Sequence, residues 1–238
     1  MKDNNSQKNL IFIHGAGGNS NIWENQFYLK IDYNIIAIDL PSHNKSSKFP
    51  DLSLDLYVDV VKNFVDSLKS NKIVLAGHSM GGVVIQEFYF KYPDDVSALI
   101  LCATGGRMRV SQIIFDSIKP DFNNYLSSLG TGTFYRKTPK KIIENAVLEA
   151  SQTDPDVIYT DFKICDAFDT LDKTNSINVP CLIICGKYDK LTPVKYSQFF
   201  HDKIKSSEFS LIDKAGHGVM LEKPKEVNSA IENFMRKI

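Results

Sequence analysis

Six short runs of apolar residues recur along the chain, and each of them ends at a turn signal. They cover residues 10–13, 34–39, 72–76, 96–102, 181–185 and 208–212. The runs are apolar on both faces instead of alternating with polar residues, which is typical of parallel strands buried between two layers of helices. The pattern predicts a mostly parallel sheet of about six strands.

The segments between these runs show helical periodicity. Apolar residues within 57–68 recur at intervals of three and four, and Ser53 precedes them as a candidate N-cap. Residues 79–92 are apolar nearly all round, which predicts a buried central helix. Residues 193–204 and 224–237 each begin with proline, which suits the first turn of a helix. Alternating strands and helices indicate an α/β fold.

One region breaks this alternation. Residues 106–173 contain helical patches, interrupted by glycines at 130 and 132, and no strand-like run followed by a turn. We therefore predict a helical insertion at residues 106–173 within a single α/β core made of residues 1–105 and 174–238. The term helical insertion is used below for residues 106–173.

Composition and charge exclude several classes of protein. The chain has 238 residues, with 28 Lys and Arg against 28 Asp and Glu, so the formal net charge is zero. Since no basic excess exists to neutralise phosphates, nucleic acid is not an expected partner. A membrane-spanning helix needs about 20 apolar residues, and no apolar run approaches that length. The polar first eight residues lack the apolar core of a secretory signal, so we expect a cytoplasmic protein. The sequence does not predict its oligomeric state.

The four cysteines are not arranged as a disulfide or metal pair. Cys181 and Cys185 lie in one predicted strand, where four residues span about 13 Å. A disulfide needs Cα atoms within about 7 Å, and the same separation argues against a shared metal ion. We expect all four, Cys102 and Cys165 included, to be buried, reduced thiols.

The strongest chemical signal is a G-x-S-x-G motif at residues 77–81, centred on Ser79. It lies directly after a predicted strand and before a predicted helix. Flanking glycines allow the sharp, strained turn that exposes a nucleophilic serine above a sheet. The motif in this context predicts Ser79 as a nucleophile, with a Gly-rich turn and a capping serine as the alternative.

A serine hydroxyl needs a base, and the base needs an orienting carboxylate. His217 is the predicted base because glycines flank it in a loop after the last apolar run, where ligands bind in parallel sheets. His78 adjoins the serine, but side chains of neighbouring residues in a tight turn diverge. Asp189, in the loop after the preceding strand, is the predicted carboxylate, and Asp213 is the reserve candidate.

An oxyanion hole needs two preorganised backbone N–H groups. Met80, just after the nucleophile, is predicted to supply one, and Ala16, in the Gly-rich loop at residues 14–18, the other. A phosphate-binding role for this loop is the competitor, but the loop has neither G-x-G-x-x-G nor a terminal GK[ST].

Together these motifs resemble those of the α/β-hydrolase family, in the group that carries a helical cap. The resemblance rests on His14-Gly15-x-Gly-Gly18, on G-x-S-x-G, on Asp189 within Gly186-x-x-Asp-x-x-x-Pro193, and on Gly216-His217. It implies hydrolysis of a small or medium acyl carboxylic ester through an acyl-Ser79 intermediate. His217 then acts as general base and acid, and neither a metal nor an organic cofactor is implied.

The chain departs from the family pattern in two places. Relatives often carry Asp-x-Pro-Gly-x-Gly-x-Ser after the second strand, whereas Ser42 and Asn44 replace both glycines here. We expect a reshaped loop with His43 near the site. Only nine residues precede Leu10, so we also expect a shortened sheet with an exposed early edge.

The substrate is a small ester-like molecule on this interpretation, and the sequence does not select among bonds. Carbon–carbon, thioester and lactone hydrolysis remain open, as does a slow hydrolase that serves as a ligand sensor. The basic residues of the helical insertion either form a solvent-exposed face or bind a substrate carboxylate. Five residues are predicted to contact the substrate: Gly15, His43, Phe115, Tyr125 and Phe134.

Overall fold

A computed structural model describes residues 1–4 and 6–238. Its six strands are β1 (Lys8–Ile13), β2 (Asn34–Ile38), β3 (Lys72–His78), β4 (Ala98–Cys102), β5 (Cys181–Gly186) and β6 (Ser207–Ile212). They form one sheet in the order β2-β1-β3-β4-β5-β6, and every neighbouring pair is parallel. The predicted parallel α/β sheet is therefore confirmed.

The helices also follow the sequence pattern closely. They are α1 (Leu54–Ser67), α2 (Met80–Lys91), α3 (Gln112–Ile118), α4 (Phe122–Gly132), α5 (Lys140–Ala150), α6 (Pro155–Ala167), α7 (Val194–Lys203), α8 (Val219–Glu222) and α9 (Pro224–Met235). Ser53 caps α1 by accepting a hydrogen bond from Leu56 N. Helix α4 includes Gly130 and ends at Gly132, and Ile143 of α5 lies beside Gly130.

The sheet is covered on both faces, which explains its continuous apolar runs. Alternate residues of β1 illustrate this, since Ile11 faces one buried cluster and Leu10 the other. Helices α1, α2 and α7 supply side chains to the first cluster. Helices α8 and α9 and a 3₁₀ segment, Ser20–Tyr28, supply the second, with Trp23 fully buried at its centre. All four cysteines are buried and free.

The early edge of the sheet is less exposed than expected. Lys2 forms an antiparallel bridge with Ile35 on β2, through backbone hydrogen bonds of 2.8 and 2.9 Å. The Asn4 side chain adds a hydrogen bond to Tyr33 O at 2.7 Å. The polar N-terminal residues thus satisfy backbone groups that an edge strand otherwise leaves unpaired.

Helices α3 to α6 all lie between β4 and β5, within the helical insertion. Ile118, Tyr125 and Ile158 form a small buried cluster there, separate from the two clusters at the sheet. Arg107 and Arg109 lie 3.6 and 3.5 Å from Asp169 at the base of the insertion, so both guanidinium groups share this one carboxylate. The division into core and insertion at residues 105–106 and 173–174 stays a prediction.

Candidate active site

Ser79 occupies a strained turn between β3 and α2. Its backbone has φ 52° and ψ −117°, a conformation that costs a non-glycine residue about 1–3 kcal/mol. Three hydrogen bonds hold it there. Ser79 N donates to Cys102 O at 3.0 Å, and Ser79 O accepts from Thr104 Oγ1 at 2.8 Å and Gly82 N at 2.9 Å.

The glycines of the motif are required by close backbone approach. A Cβ atom on Gly81 would lie 2.3 Å from Ile13 O, and one on Gly77 would lie 2.3 Å from Gly81 O. Contacts this short with rigid backbone cannot be relieved without moving the strands. The G-x-S-x-G pattern therefore reflects how tightly α2 passes over the end of β1.

His217 and Asp189 form a buried pair beyond the ends of β6 and β5. His217 Nδ1 lies 2.9 Å from Asp189 Oδ2, and the two side chains are 6% and 0% exposed. Since a carboxylate can only accept, the His217 proton is on Nδ1, and Nε2 is left free to take a proton. Tyr188 N donates to Ala215 O at 2.9 Å and ties the two loops together.

The Asp189 carboxylate is fixed by its own loop. Oδ1 accepts from Leu191 N and Thr192 N, both at 2.9 Å, and Oδ2 accepts from Thr192 Oγ1 at 2.7 Å. Burial alone would raise the pKa of Asp189, but His217 and these donors outweigh it and hold the pKa below its usual range. Asp213, the reserve candidate, is instead exposed and lies 3.6 Å from Lys187.

Ser79 makes no hydrogen bond to this pair. Among the residues that the structure describes, the Ser79 hydroxyl has no hydrogen-bond partner. His78 links the two regions, since its Nε2 donates to His217 O at 3.0 Å and its ring lies 4.7 Å from the His217 ring. Burial and the neighbouring His217 lower the pKa of His78 to about 3, so it is neutral and acts as a structural support.

The two predicted oxyanion donors have unpartnered N–H groups. Within the described part of the chain, neither Ala16 N nor Met80 N donates to a protein acceptor. Gly15 carries the loop past the nucleophile, since a Cβ atom on Gly15 would lie 3.0 Å from Ser79 Cβ. Ala16 follows Gly15 directly, and Met80 begins α2, whose N-terminus favours negative charge.

The loop after β2 keeps a glycine-like shape although its glycines are replaced. Ser42 and Asn44 adopt positive φ values of 66° and 44°. Ser42 Oγ accepts from Phe49 N at 2.9 Å, and Asn44 Nδ2 donates to Asp39 Oδ2 at 3.0 Å. These side chains stabilise a turn with positive φ values, which glycine adopts more readily.

The remaining predicted substrate residues lie in different surroundings. Phe134 packs near His217, since its Cε1 would lie 2.6 Å from a Cβ atom on Gly218. Tyr125 is buried within the helical insertion, and half-buried Phe115 contacts Tyr159 of the insertion at 5.3 Å between rings. His43 is fully buried, and both ring nitrogens have internal partners.

Two carboxylates that the sequence analysis missed join the helical insertion to these loops. Glu222 accepts from Gly216 N and Tyr135 N, both at 2.8 Å. Asp161 on α6 accepts from Gly17 N at 2.8 Å. Asp161 shares the buried face of α6 with Ile158, and a charged residue on an apolar helix face was the available signal.

Metal and membrane features are absent from the described chain. Over residues 1–4 and 6–238, no group of three or more His, Cys, Asp and Glu side chains is placed to hold a metal ion. In the same residues no helix combines the length and apolar character needed to cross a membrane.

Comparison with known proteins identifies the family. A model of the alpha/beta hydrolase family matches residues 10–230. The chain belongs to this family. Among curated relatives, the alpha/beta hydrolase superfamily protein YisY of Bacillus subtilis is 27% identical, over 94% of this chain and 90% of its own. Human monoacylglycerol lipase ABHD6 is 25% identical, over 96% of this chain and 75% of its own.

Solved structures place an esterase among its relatives. The structure of a thermophilic esterase is 36% identical to this alpha/beta hydrolase, with a TM-score of 0.85, and covers 97% of this chain and 90% of its own. An esterase from Exiguobacterium antarcticum has a TM-score of 0.91 at 20% identity, over 97% of this chain and 92% of its own, which shows a shared fold. The chain is therefore an esterase-like hydrolase.

Proposed function

We propose that this protein hydrolyses small or medium acyl carboxylic esters through an acyl-Ser79 intermediate. One observation carries the proposal. A buried His217–Asp189 pair, with Nδ1 and Oδ2 2.9 Å apart, lies at the same sheet edge as a serine in a strained nucleophile turn. Such a pair leaves a free Nε2 that can accept a serine proton.

In the acylation step, Ser79 Oγ attacks the ester carbonyl carbon while His217 Nε2 takes the hydroxyl proton. Negative charge collects on the carbonyl oxygen, where the N–H groups of Ala16 and Met80 donate to it. The tetrahedral intermediate collapses, the bond to the alkoxy oxygen breaks, and His217 returns the proton to the departing alcohol. Asp189 stabilises the imidazolium that forms between these events.

Deacylation repeats the chemistry with water. His217 removes a proton from a water molecule, whose oxygen attacks the acyl carbon, and the second tetrahedral intermediate expels Ser79 Oγ. The proton passes from His217 to the serine, and the carboxylic acid leaves. Every proton is returned, so the cycle needs no metal or organic cofactor.

The relatives of this chain support an ester as the substrate. Its relatives include an esterase at 36% identity and a monoacylglycerol lipase at 25% identity. Phe134, which packs beside Gly218, favours an acyl chain over a charged group. Arg107 and Arg109, already near Asp169, are less suited to binding a substrate carboxylate.

The proposal is tested by hydrolysis of p-nitrophenyl acetate and butyrate, with the wild type and Ser79→Ala at equal concentration. Loss of a catalytic nucleophile lowers kcat by about 10⁴–10⁶-fold and leaves a residual rate from the oxyanion hole and substrate binding. We therefore expect Ser79→Ala to lose at least about 10⁴-fold in kcat. A thioester, a lactone and a carbon–carbon substrate in the same panel distinguish the bond. Equal rates for wild type and Ser79→Ala would refute the proposal.

A further inference from the structure

Asp161 lies on α6 of the helical insertion and is fully buried. Its carboxylate accepts three hydrogen bonds from core elements. Oδ1 accepts from Tyr57 OH at 2.6 Å, and Oδ2 accepts from Gly17 N at 2.8 Å and His43 Nε2 at 2.9 Å. A buried charge is costly unless it is fully paired, so this arrangement is specific.

His43 is the positive partner of this carboxylate. Its Nδ1 lies 2.9 Å from Pro41 O, and its Nε2 faces Asp161. Because a carbonyl and a carboxylate both accept, both ring nitrogens must donate, and the ring is an imidazolium. Burial would lower the pKa of His43, but the bond and charge of Asp161 outweigh it and raise the pKa above 6.5.

His14 lies beside this ion pair and is neutral. Its ring is 4.7 Å from the His43 ring. Leu40 N donates to His14 Nε2 at 3.0 Å, so His14 Nδ1 is the protonated nitrogen and donates to Gly15 O at 2.9 Å. Burial and the charge of His43 lower the pKa of His14 to about 4. The ion pair therefore has no second buried cation beside it.

The helical insertion holds Gly17 from both sides. Asp161 accepts from Gly17 N, and Thr153 Oγ1 donates to Gly17 O at 3.1 Å. Gly17 has φ 64°, and a Cβ atom there would lie 3.0 Å from Ile158 Cγ1. Gly17 directly follows Ala16, whose N–H is the proposed oxyanion donor, so fixing Gly17 fixes the direction of that N–H.

We infer that Asp161 is a positioning residue for the oxyanion loop, and that its hydrogen bond to His43 holds the carboxylate in place for this purpose. The inference rests on the proposed function, since it assigns the reason why Ala16 is preorganised. The helical insertion then contributes to the chemical step as well as to substrate access. Its contribution is made through backbone geometry and not through contact with the reacting atoms.

The expected signature is a loss of kcat without a matching rise in KM. An oxyanion donor matters most in the transition state, and removing one costs about 10²–10³ in kcat. Asp161→Ala removes the acceptor for Gly17 N, whereas an asparagine oxygen would keep it. The Ala16 N–H is displaced and not removed, so we expect kcat to fall by about tenfold to a hundredfold, with KM within about twofold.

The matched control is Asp166→Ala. Asp166 lies on the same helix and its Oδ1 accepts from Val110 N at 2.9 Å, so the same chemical change removes a bond to a backbone N–H other than that of Gly17. Thr153→Val is the second variant, since it removes the other bond to Gly17 and leaves the ion pair intact. It keeps the inference testable if Asp161→Ala fails to fold.

Two readouts separate this inference from the proposed function. The first is kcat and KM on p-nitrophenyl butyrate for the wild type and all three variants. The second is amide hydrogen exchange, by mass spectrometry, of the peptide covering residues 14–19. We expect faster exchange and lower kcat for Asp161→Ala and Thr153→Val, and neither change for Asp166→Ala.

Contrary results have distinct meanings. Unchanged kcat in Asp161→Ala, or a rise in KM that accounts for the whole loss of kcat/KM, overturns the positioning role. Unchanged amide hydrogen exchange at residues 14–19 in the Asp161 variant also overturns the positioning role. If the wild type is no faster than Ser79→Ala, the proposed ester hydrolysis fails, and the exchange measurement still decides whether Asp161 orders the loop.

Discussion

Replacing Asp189 by asparagine tests how His217 is held. Asp189 Oδ1 accepts two backbone N–H groups, from Leu191 and Thr192, which fixes the orientation of the side chain. In Asp189→Asn the amide oxygen keeps these two bonds, because the NH₂ group cannot accept them. The NH₂ group then occupies the Oδ2 position, 2.9 Å from His217 Nδ1.

That exchange reverses the hydrogen bond to the imidazole. The NH₂ group can only donate, so His217 Nδ1 must accept, and the ring proton moves to Nε2. An Nε2 that carries a proton cannot take one from Ser79. The same tautomer error costs about 10⁴ in kcat in serine proteases, so we expect a loss of about 10⁴-fold here, which corresponds to about 5.4 kcal/mol.

The assay is kcat for p-nitrophenyl butyrate at pH 7.5, with thermal unfolding to verify that each variant is folded. Asp213→Asn is the matched control. It makes the same chemical change at an exposed aspartate that pairs with Lys187 and not with His217. It should retain wild-type activity. A folded Asp189→Asn that loses less than about tenfold, or an equal loss in Asp213→Asn, would refute the tautomer argument.

Two further predictions concern stability. Lys69 is exposed and has φ 46° just beyond α1, so Lys69→Gly should stabilise the protein by about 1 kcal/mol in urea unfolding, whereas Lys69→Ala should give no gain. His14 and His78 have pKa values lowered to about 4 and 3 by burial. Below pH 6.5 the unfolded chain protonates both histidines, whereas the folded chain keeps them neutral. The free energy of unfolding therefore decreases as the pH falls from 6.5 toward 4, by about 2 kcal/mol between pH 6 and 5. A free energy of unfolding that stays flat over that interval would contradict the burial argument.

The sheet could be predicted because both of its faces are buried. Strands such as β1 and β5 are continuous apolar runs, and this signal needs no knowledge of their neighbours. The positions of Ser79, Asp189 and His217 followed from the same reasoning, since each comes directly after such a run. Parallel strands place the residues beyond their carboxyl ends at one edge of the sheet.

The hydrogen bonds between the helical insertion and the active-site loops could not be predicted in the same way. Asp161 and Gly17 are 144 residues apart, and no local pattern pairs them. The sequence shows that serine and asparagine replace glycines at residues 42 and 44. It does not show the side-chain hydrogen bonds with which both residues adopt positive φ. The pairing of Lys2 with Ile35 likewise depends on a tertiary contact between the chain start and an edge strand.

The central claim is that an acyl group passes through Ser79, and trapping that group tests it most directly. A stopped-flow reaction with p-nitrophenyl acetate, quenched in acid and followed by peptide mapping, reports both the burst and the acylated residue. We expect a burst approaching one p-nitrophenol per chain and an acetyl group on the peptide that contains Ser79, with neither in Ser79→Ala. An acetyl group on another residue, or a burst that survives in Ser79→Ala, would contradict the account.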